Sequence, residues 1–217
     1  MKTILTLAIL AAFQLCSAQK TIGLKDFKSI SVGADTKIKL VKSSENKLVI
    51  NGSDEDNEFQ IQNVGSDLVL NGGEDLDITV YYKNTLESIT AASDAEVFGN
   101  DEINTKEFGI AAASDAKVEL KLNVKKLHTN AASDAVVTLT GKATEHTAAV
   151  ASDANLNSEH LLTDTTNIVV SSDGEASVSA KNTVNATASS DGSIKIYGNP
   201  KKVNQTKADD GEITIVR

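Results

Sequence analysis

Along the second half of the chain, apolar and polar residues alternate in short runs, and one phrase, small-Ser-Asp-small, interrupts them at a regular interval. It reads Ala92-Ser93-Asp94-Ala95, Ala113-Ser114-Asp115-Ala116, Ala132-Ser133-Asp134-Ala135 and Ala151-Ser152-Asp153-Ala154. It then drifts to Ser171-Ser172-Asp173-Gly174, Ser189-Ser190-Asp191-Gly192 and Ala208-Asp209-Asp210-Gly211. Successive Asp residues are 21, 19, 19, 20, 18 and 19 positions apart, a period that fits neither a heptad nor the longer helical repeats. Three residues after each Asp stand Val97, Val118, Val137, Leu156, Ala176, Ile194 and Ile213. Five after it stand Leu120, Leu139, Val178, Ile196 and Ile215, with Gly99 and Ser158 as exceptions. The intervening columns are mostly polar, so the period is two, the mark of strands with one buried face. Before the Asp, Ile89, Ile110 and Ile168 and then Ala91, Ala112, Ala131, Val150, Val170 and Ala188 repeat the pattern. Each unit is strand, tight small-residue turn, strand, return.

A unit of this length, with one Pro in the chain and no helix-length apolar stripe, predicts an all-β fold: a parallel β-helix or solenoid with coils of about 19 residues. At about 4.8 Å per coil, seven coils make a rod on the order of 34 Å long. The rival, an antiparallel sandwich, does not normally keep one motif in so fixed a register. Before Asp94 the pattern loosens: Ile30, Val32, Ile38 and Leu40, then Leu48 to Ile50, Leu68 to Leu70, and Ile78, Val80 and Tyr82. Asn51-Gly52-Ser53 and Asn71-Gly72-Gly73 read as hairpin-like punctuation. Ala34-Asp35-Thr36 with Ile38 and Leu40 reproduces the repeat spacing. Residues 19–85 are therefore read as an N-terminal β segment, either divergent coils or a cap, and residues 86–217 as the repeats.

The first 18 residues change the picture of where the chain works. Lys2, the apolar run from Ile4 to Phe13 and the small residues Cys16, Ser17 and Ala18 predict an export signal cleaved before Gln19. The run is too short to span a bilayer. The chain from Gln19 on then has no cysteine, which removes disulfides, thiol nucleophiles and thiolate metal sites, and loss of Lys2 takes the formal charge from −9 to −10. The sole arginine is Arg217, and with the acidic balance this argues against nucleic acid and anionic membrane surfaces as partners.

The residues able to carry chemistry are the histidines, the serines and the Asp columns. His128, His146 and His160 fall in three different columns of the repeat, so a shared zinc site is not expected and all three are read as surface or turn residues. No histidine stands in register with the Ser-Asp pairs to make a nucleophile. Stacking puts Asp94, Asp115, Asp134, Asp153, Asp173, Asp191 and Asp210 about 4.8 Å apart, and neighbours then repel by roughly 0.9 kcal/mol at the dielectric of water. Two readings would offset this: each carboxylate accepts backbone N–H bonds in an Asx-type turn, or the row is a shallow calcium-binding ridge. The glycine-rich nonapeptide of dedicated calcium solenoids is missing, and no other cofactor is implied.

The export signal, the strands Phe27-Lys28-Ser29-Ile30-Ser31-Val32 and Asp77-Ile78-Thr79-Val80-Tyr81-Tyr82, the segment Leu86-Glu87-Ser88-Ile89 and the Ser-Asp turns together resemble one family. It is the putative auto-transporter adhesin, head GIN domain family, exported proteins of Gram-negative bacteria. The resemblance covers Phe27 to Val216, departing at Thr85, where the family often has a proline. It implies a right-handed β-helix-like fold and carries over no catalytic residue.

The expected function is an exported, periplasmic or cell-surface, non-enzymatic β-solenoid that binds a protein or glycan at the cell envelope or serves there as a structural module. The alternative is a carbohydrate-active β-helix enzyme or a glycan-binding protein, for which a groove of aromatics and lysines would speak. In the aligned repeat strands only Phe98 takes an outward column. The strand Ile213 to Arg217, guarded by Lys201, Lys202, Lys207, Glu212 and Arg217, is read as an association edge, pairing with a second copy or accepting a partner's strand.

Overall fold

The computed structural model describes residues 19–52, 59–73 and 76–216, so the export signal over 1–18 and the guard Arg217 lie outside the described residues. Everything described is strand, turn or irregular, with no helix. Eight strands precede the repeats: β1 (Gln19–Gly23), β2 (Ser29–Gly33), β3 (Lys37–Lys42), β4 (Lys47–Asn51), β5 (Gln60–Val64), β6 (Asp67–Asn71), β7 (Asp77–Tyr82) and β8 (Ser88–Ala92). Five long ones follow: β9 (Glu96–Ala113), β10 (Lys117–Ala132), β11 (Val136–Ala151), β12 (Asn155–Ser171) and β13 (Glu175–Ala188). The chain finishes with β14 (Ser193–Tyr197), β15 (Lys202–Lys207) and β16 (Glu212–Ile215). From β8 onward every pairing is parallel, coil on coil, giving a β-solenoid.

The alternation decides which side chains go inside. In β10 buried and exposed residues alternate until Lys125 and Lys126, both exposed, where the strand turns a corner and splits into arms at 117–124 and 126–132. Val118 is stacked between Val97 and Val137, and Leu127 between Phe108 and His146. All seven residues three after the Asp are buried. The exceptions five after it also face inward: Ser158 is buried and its hydroxyl donates to the Ser177 carbonyl at 2.9 Å, while Gly99 leaves room for Leu40, whose Cβ would lie 3.2 Å from an added one. Coil length varies at the side away from the turn. Register slips between Leu120 and Lys121, Thr138 and Gly141, Ser158 and Leu162, and Thr163 and Thr165 absorb the extra or missing residues. The Ser-Asp turns therefore stay aligned although the period does not.

Residues before Asp94 are both coil and cap. β2 and β3 stack in parallel on β8 and β9, and the Asp35 N–H donates to the Ser93 carbonyl at 2.9 Å, so 29–42 is a coil of the solenoid. β6 and β7 stack in parallel on its other side, which puts the later segment 67–82 outside the earlier one. β4 then pairs antiparallel with β7, and β1 with β4, closing this end over the buried Leu48. The hairpin expected at Asn71-Gly72-Gly73 is a coil corner instead, joining β6 to β7, and Gly72 accepts the Thr36 hydroxyl at 2.5 Å. A hairpin does form one strand earlier, where β5 and β6 pair antiparallel around Gly65 at φ 62°. At the far end β15 is almost wholly exposed, and β16 buries only Ile213.

In each turn the Asp and the residue before it, Ser in six repeats and Asp209 in the last, both have positive φ, for example 52° and 62° at Ser133 and Asp134, the backbone of a type I′ turn. The residue after the Asp donates back across the turn, at 3.3–3.4 Å for Ala116, Ala135 and Ala154 and 3.0–3.1 Å for Gly174, Gly192 and Gly211. That residue is buried against the backbone of the preceding coil: a Cβ on Gly192 would come within 2.7 Å of the Val170 carbonyl. The position takes a small residue, Ala or Gly in the seven repeats and Thr36 in the first coil, and the closer approach at Gly192 and Gly211 leaves no room for a Cβ. The Asp N–H donates to the next coil's turn, from Asp115 to Ser133, Asp134 to Ser152 and Asp153 to Ser172 at 3.0–3.1 Å. The Asx reading is thus corrected. A ladder of backbone bonds exists, but it runs through the main chain; among the described residues no hydrogen bond or ion pair reaches the seven exposed carboxylates. Asp is present because a short polar side chain tolerates the left-handed conformation.

One buried polar residue departs from the expected surface role. His128 and His160 are exposed, but His146 is fully buried in the column of Phe108 and Leu127. Its Nε2 lies 3.0 Å from the Thr129 hydroxyl, and its Nδ1 has no partner among the described residues. Burial, helped by the neighbouring His128, pushes its pKa down to about 4. The nearby Thr163 is also buried and is satisfied, meeting the Thr166 hydroxyl at 2.7 Å and the Ser179 carbonyl at 2.9 Å.

Two predictions follow from these positions. In thermal and urea melts Asp134→Asn should match or exceed the parent, since it keeps the left-handed preference and removes a repelling charge, whereas Asp134→Ala should lose about 1 kcal/mol. A large loss for Asn would restore a role for the carboxylate. For His146, the imidazole is neutral in folded and unfolded chains above pH 6.5; as pH falls towards 4 only the unfolded chain gains the proton. Stability should drop through that window by on the order of 3 kcal/mol and level off below it. His146→Leu should flatten this part of the stability profile, measured by denaturant melts from pH 8 to pH 4.

Candidate binding surfaces

Stacking turns each outward position of a coil into a column along the rod, so the surface is organised by column. On the first-arm face the Lys37 and Lys117 ammonium groups flank the Glu96 carboxylate at 2.7 and 3.2 Å. Lys37 above all, with Lys117 adding to it, holds the Glu96 carboxyl below its ordinary pKa against the opposing effect of burial. Beside this trio the Phe98 ring, half-buried, stands between Lys39 and Glu119 of the adjoining coils. Lys37, Glu96, Phe98, Lys117 and Glu119 line a groove of about 330 Å³. Two further aromatics take outward positions that the repeat alignment did not reach: Tyr81, with the Lys47 ammonium 5.0 Å from its ring centre, and Tyr197. Tyr82 faces inward under Lys42, and burial, with the nearby Asp101 charge, pushes its phenol up to about 12.

A second, polar groove of about 800 Å³ lies at the outer corner, between Thr85, Glu87, Asn104 and His128. There His128 Nε2 is 3.5 Å from Glu107, and Glu87 pairs with Lys28 at 2.8 Å. The Thr105 hydroxyl donates to the Glu107 carbonyl, so it is not aimed at an imidazole. His160 and the buried His146 lie on other coils. Among the described residues no three His, Cys, Asp or Glu converge to hold a metal ion. The seven Asp of the ladder, with Asp35 as an eighth member stacked on the Ser93-Asp94 turn, stand at one per coil, and only the last turn adds a second, Asp209.

The second arms make a different face. Ser29 and Ser31 on β2, Thr90 on β8, Ala111 on β9, and His128 and Asn130 on β10 begin it. Thr147 and Ala149, Asn167 and Val169, Asn185 and Thr187, then Asn204 and Thr206 continue it along β11, β12, β13 and β15. Nearer the turns it carries Ala92, Ala113, Ala132, Ala151 and Ser171. Over these eight strands the three columns hold no Asp, Glu, Lys or Arg, although 24% of the chain is charged; the next strand of the stack, β6, ends the neutral field with Asp67 beside Ser29. The amides are locked: Asn204 Nδ2 donates to Asn185 at 2.6 Å and Asn185 Nδ2 to Asn167 at 2.7 Å. Charge returns at both rims. The turn side carries the Asp ladder, and the corner side carries Lys106, Lys125, Lys126, Lys181, Lys201 and Lys202 against Glu107, Glu145 and Asp164.

No curated protein matches the chain. Among solved structures, a putative adhesin from Bacteroides fragilis is 21% identical with a TM-score of 0.81, the match covering 91% of this chain and 96% of that one. A putative adhesin from Parabacteroides merdae is 20% identical with a TM-score of 0.75, over 92% and 96% of the two chains. A putative lipid binding protein from Parabacteroides distasonis is 15% identical with a TM-score of 0.69, over 92% and 96%. These neighbours share the fold. The family described as putative auto-transporter adhesin, head GIN domain, matches residues 26–200, and the chain belongs to it.

Proposed function

We propose that the protein is an exported, non-enzymatic β-solenoid that acts at the cell envelope as an adhesin-like binding or structural module. The observation that carries this reading is the distribution of its reactive groups. Hydroxyls, carboxylates and imidazoles recur along the rod one coil at a time, whereas catalysis needs a nucleophile, a base and its orienting partner at one point. Family membership supports the adhesin-like role, and the composition of residues 1–18 supports export. Among the described residues no helix is long and apolar enough to cross a membrane. A glycan is the favoured ligand class on one specific ground: the groove at Phe98 combines an aromatic face with Lys37, Lys117 and two carboxylates, the pairing of apolar platform and hydrogen-bonding rim that a sugar ring uses.

The chain from Gln19 on, applied to a glycan array and used in pull-downs from envelope fractions, should give saturable binding with no release of product. Steady depolymerisation of a polysaccharide would overturn the non-enzymatic reading. Phe98→Ala should weaken glycan retention at least tenfold; unchanged retention would move the contact away from this groove. Calcium has no part in this function, so melts in excess chelator and in millimolar calcium should coincide. A rise of several degrees with calcium would give the Asp ladder a metal role.

A further inference from the structure

The charge-free face of the second arms has the anatomy of an interface: a centre depleted of charge, a charged rim, and an exposed Val169 at 50% near its middle. Eight strands about 4.8 Å apart and a width of about 20 Å give on the order of 700 Å² per copy, near what one side of a specific interface buries. The rims say what covers it. One is a row of Asp; the other, beyond its Lys28–Glu87 pair, carries six Lys against three acids. A two-fold axis lying in the face and parallel to the rod sets the Asp rim of one copy against the Lys rim of the other, twice. An axis across the rod would oppose Asp to Asp. A polyanion could complement only the Lys rim and would lie against the Asp rim unpaired, whereas a second copy complements both.

The geometry points to a second copy of this chain as the occupant: two rods side by side in the same direction, face to face, as an isologous dimer. The central column, Asn130, Ala149, Val169 and Thr187, lies on the axis and meets itself across the interface. Small side chains and pre-ordered Asn amides let the two sheets approach with little loss of side-chain freedom. This association does not depend on the glycan reading, because the Phe98 groove lies on the other arm and stays open in the dimer. It also differs from end-on pairing through β16.

Sedimentation of the chain from Gln19 should show a concentration-dependent dimer that weakens severalfold between 50 and 500 mM NaCl. Val169→Lys, at an exposed site that leaves the fold intact by circular dichroism, should weaken it at least tenfold, while Ile215→Lys should leave it unchanged. Since the chain from Gln19 on has no cysteine, Val169→Cys should give a disulfide-linked dimer under mild oxidation and Val136→Cys, exposed on the other arm, should not. A monomer throughout the micromolar to millimolar range would overturn the proposal. So would equal cross-linking of both cysteine variants, or a dimer lost in Ile215→Lys and kept in Val169→Lys.

Discussion

The solenoid depends on a pair of residues held in the left-handed region at every turn. Alone, such a pair costs on the order of 1–2 kcal/mol per residue, and it persists only where its surroundings leave no alternative. Here the surroundings are the neighbouring turns: each Asp N–H is taken by the next turn's carbonyl, and each following Ala or Gly is pressed against the preceding coil. The turn is therefore stabilised along the rod more than within itself. That is why the phrase repeats so strictly while the rest of the coil changes in length.

Once the turns are in line, side-chain chemistry becomes one-dimensional. A residue type kept at one position becomes a stripe: an acidic stripe at the turn, an amide stripe at Asn167, Asn185 and Asn204, a neutral field between two charged margins. A stripe is poor at concentrating several groups on one bond and good at presenting one chemistry over a long contact. The separation of charged from neutral columns is a property of the whole rod rather than of any one coil.

Much of this was legible in the sequence because a period-two pattern anchored on a fixed Asp specifies inside and outside directly. Val97 to Ile213 are buried as the alignment demands, and the parallel stacking follows from the repeat. What escaped has physical reasons. His146 looks polar in isolation, and only the column of Phe108 and Leu127 above it shows that it is inward. The sequence does not separate a carboxylate role for the turn Asp from a backbone one, because side-chain bonding and left-handed conformation favour the same residue type. The neutral face is visible only when positions from eight strands are laid side by side, since along the chain each such stretch is a few small or polar residues. The order of the first coils was hidden because 67–82 stacks outside 29–42, against chain order.

That inverted order has a consequence for how the molecule assembles. Strands β9 to β13 meet partners about one coil away in sequence and can add one after another. Ser29, by contrast, pairs with Asp67 on one side and Ser88 on the other, so its coil is threaded between two later segments. Such distant pairing is slow to form. The repeats can zip up early, with the first coil and its antiparallel cover locking in last. The first coil cannot complete its pairing until residues 67–92 have been made and have stacked on both sides of it, so its backbone groups stay open while the chain is still growing.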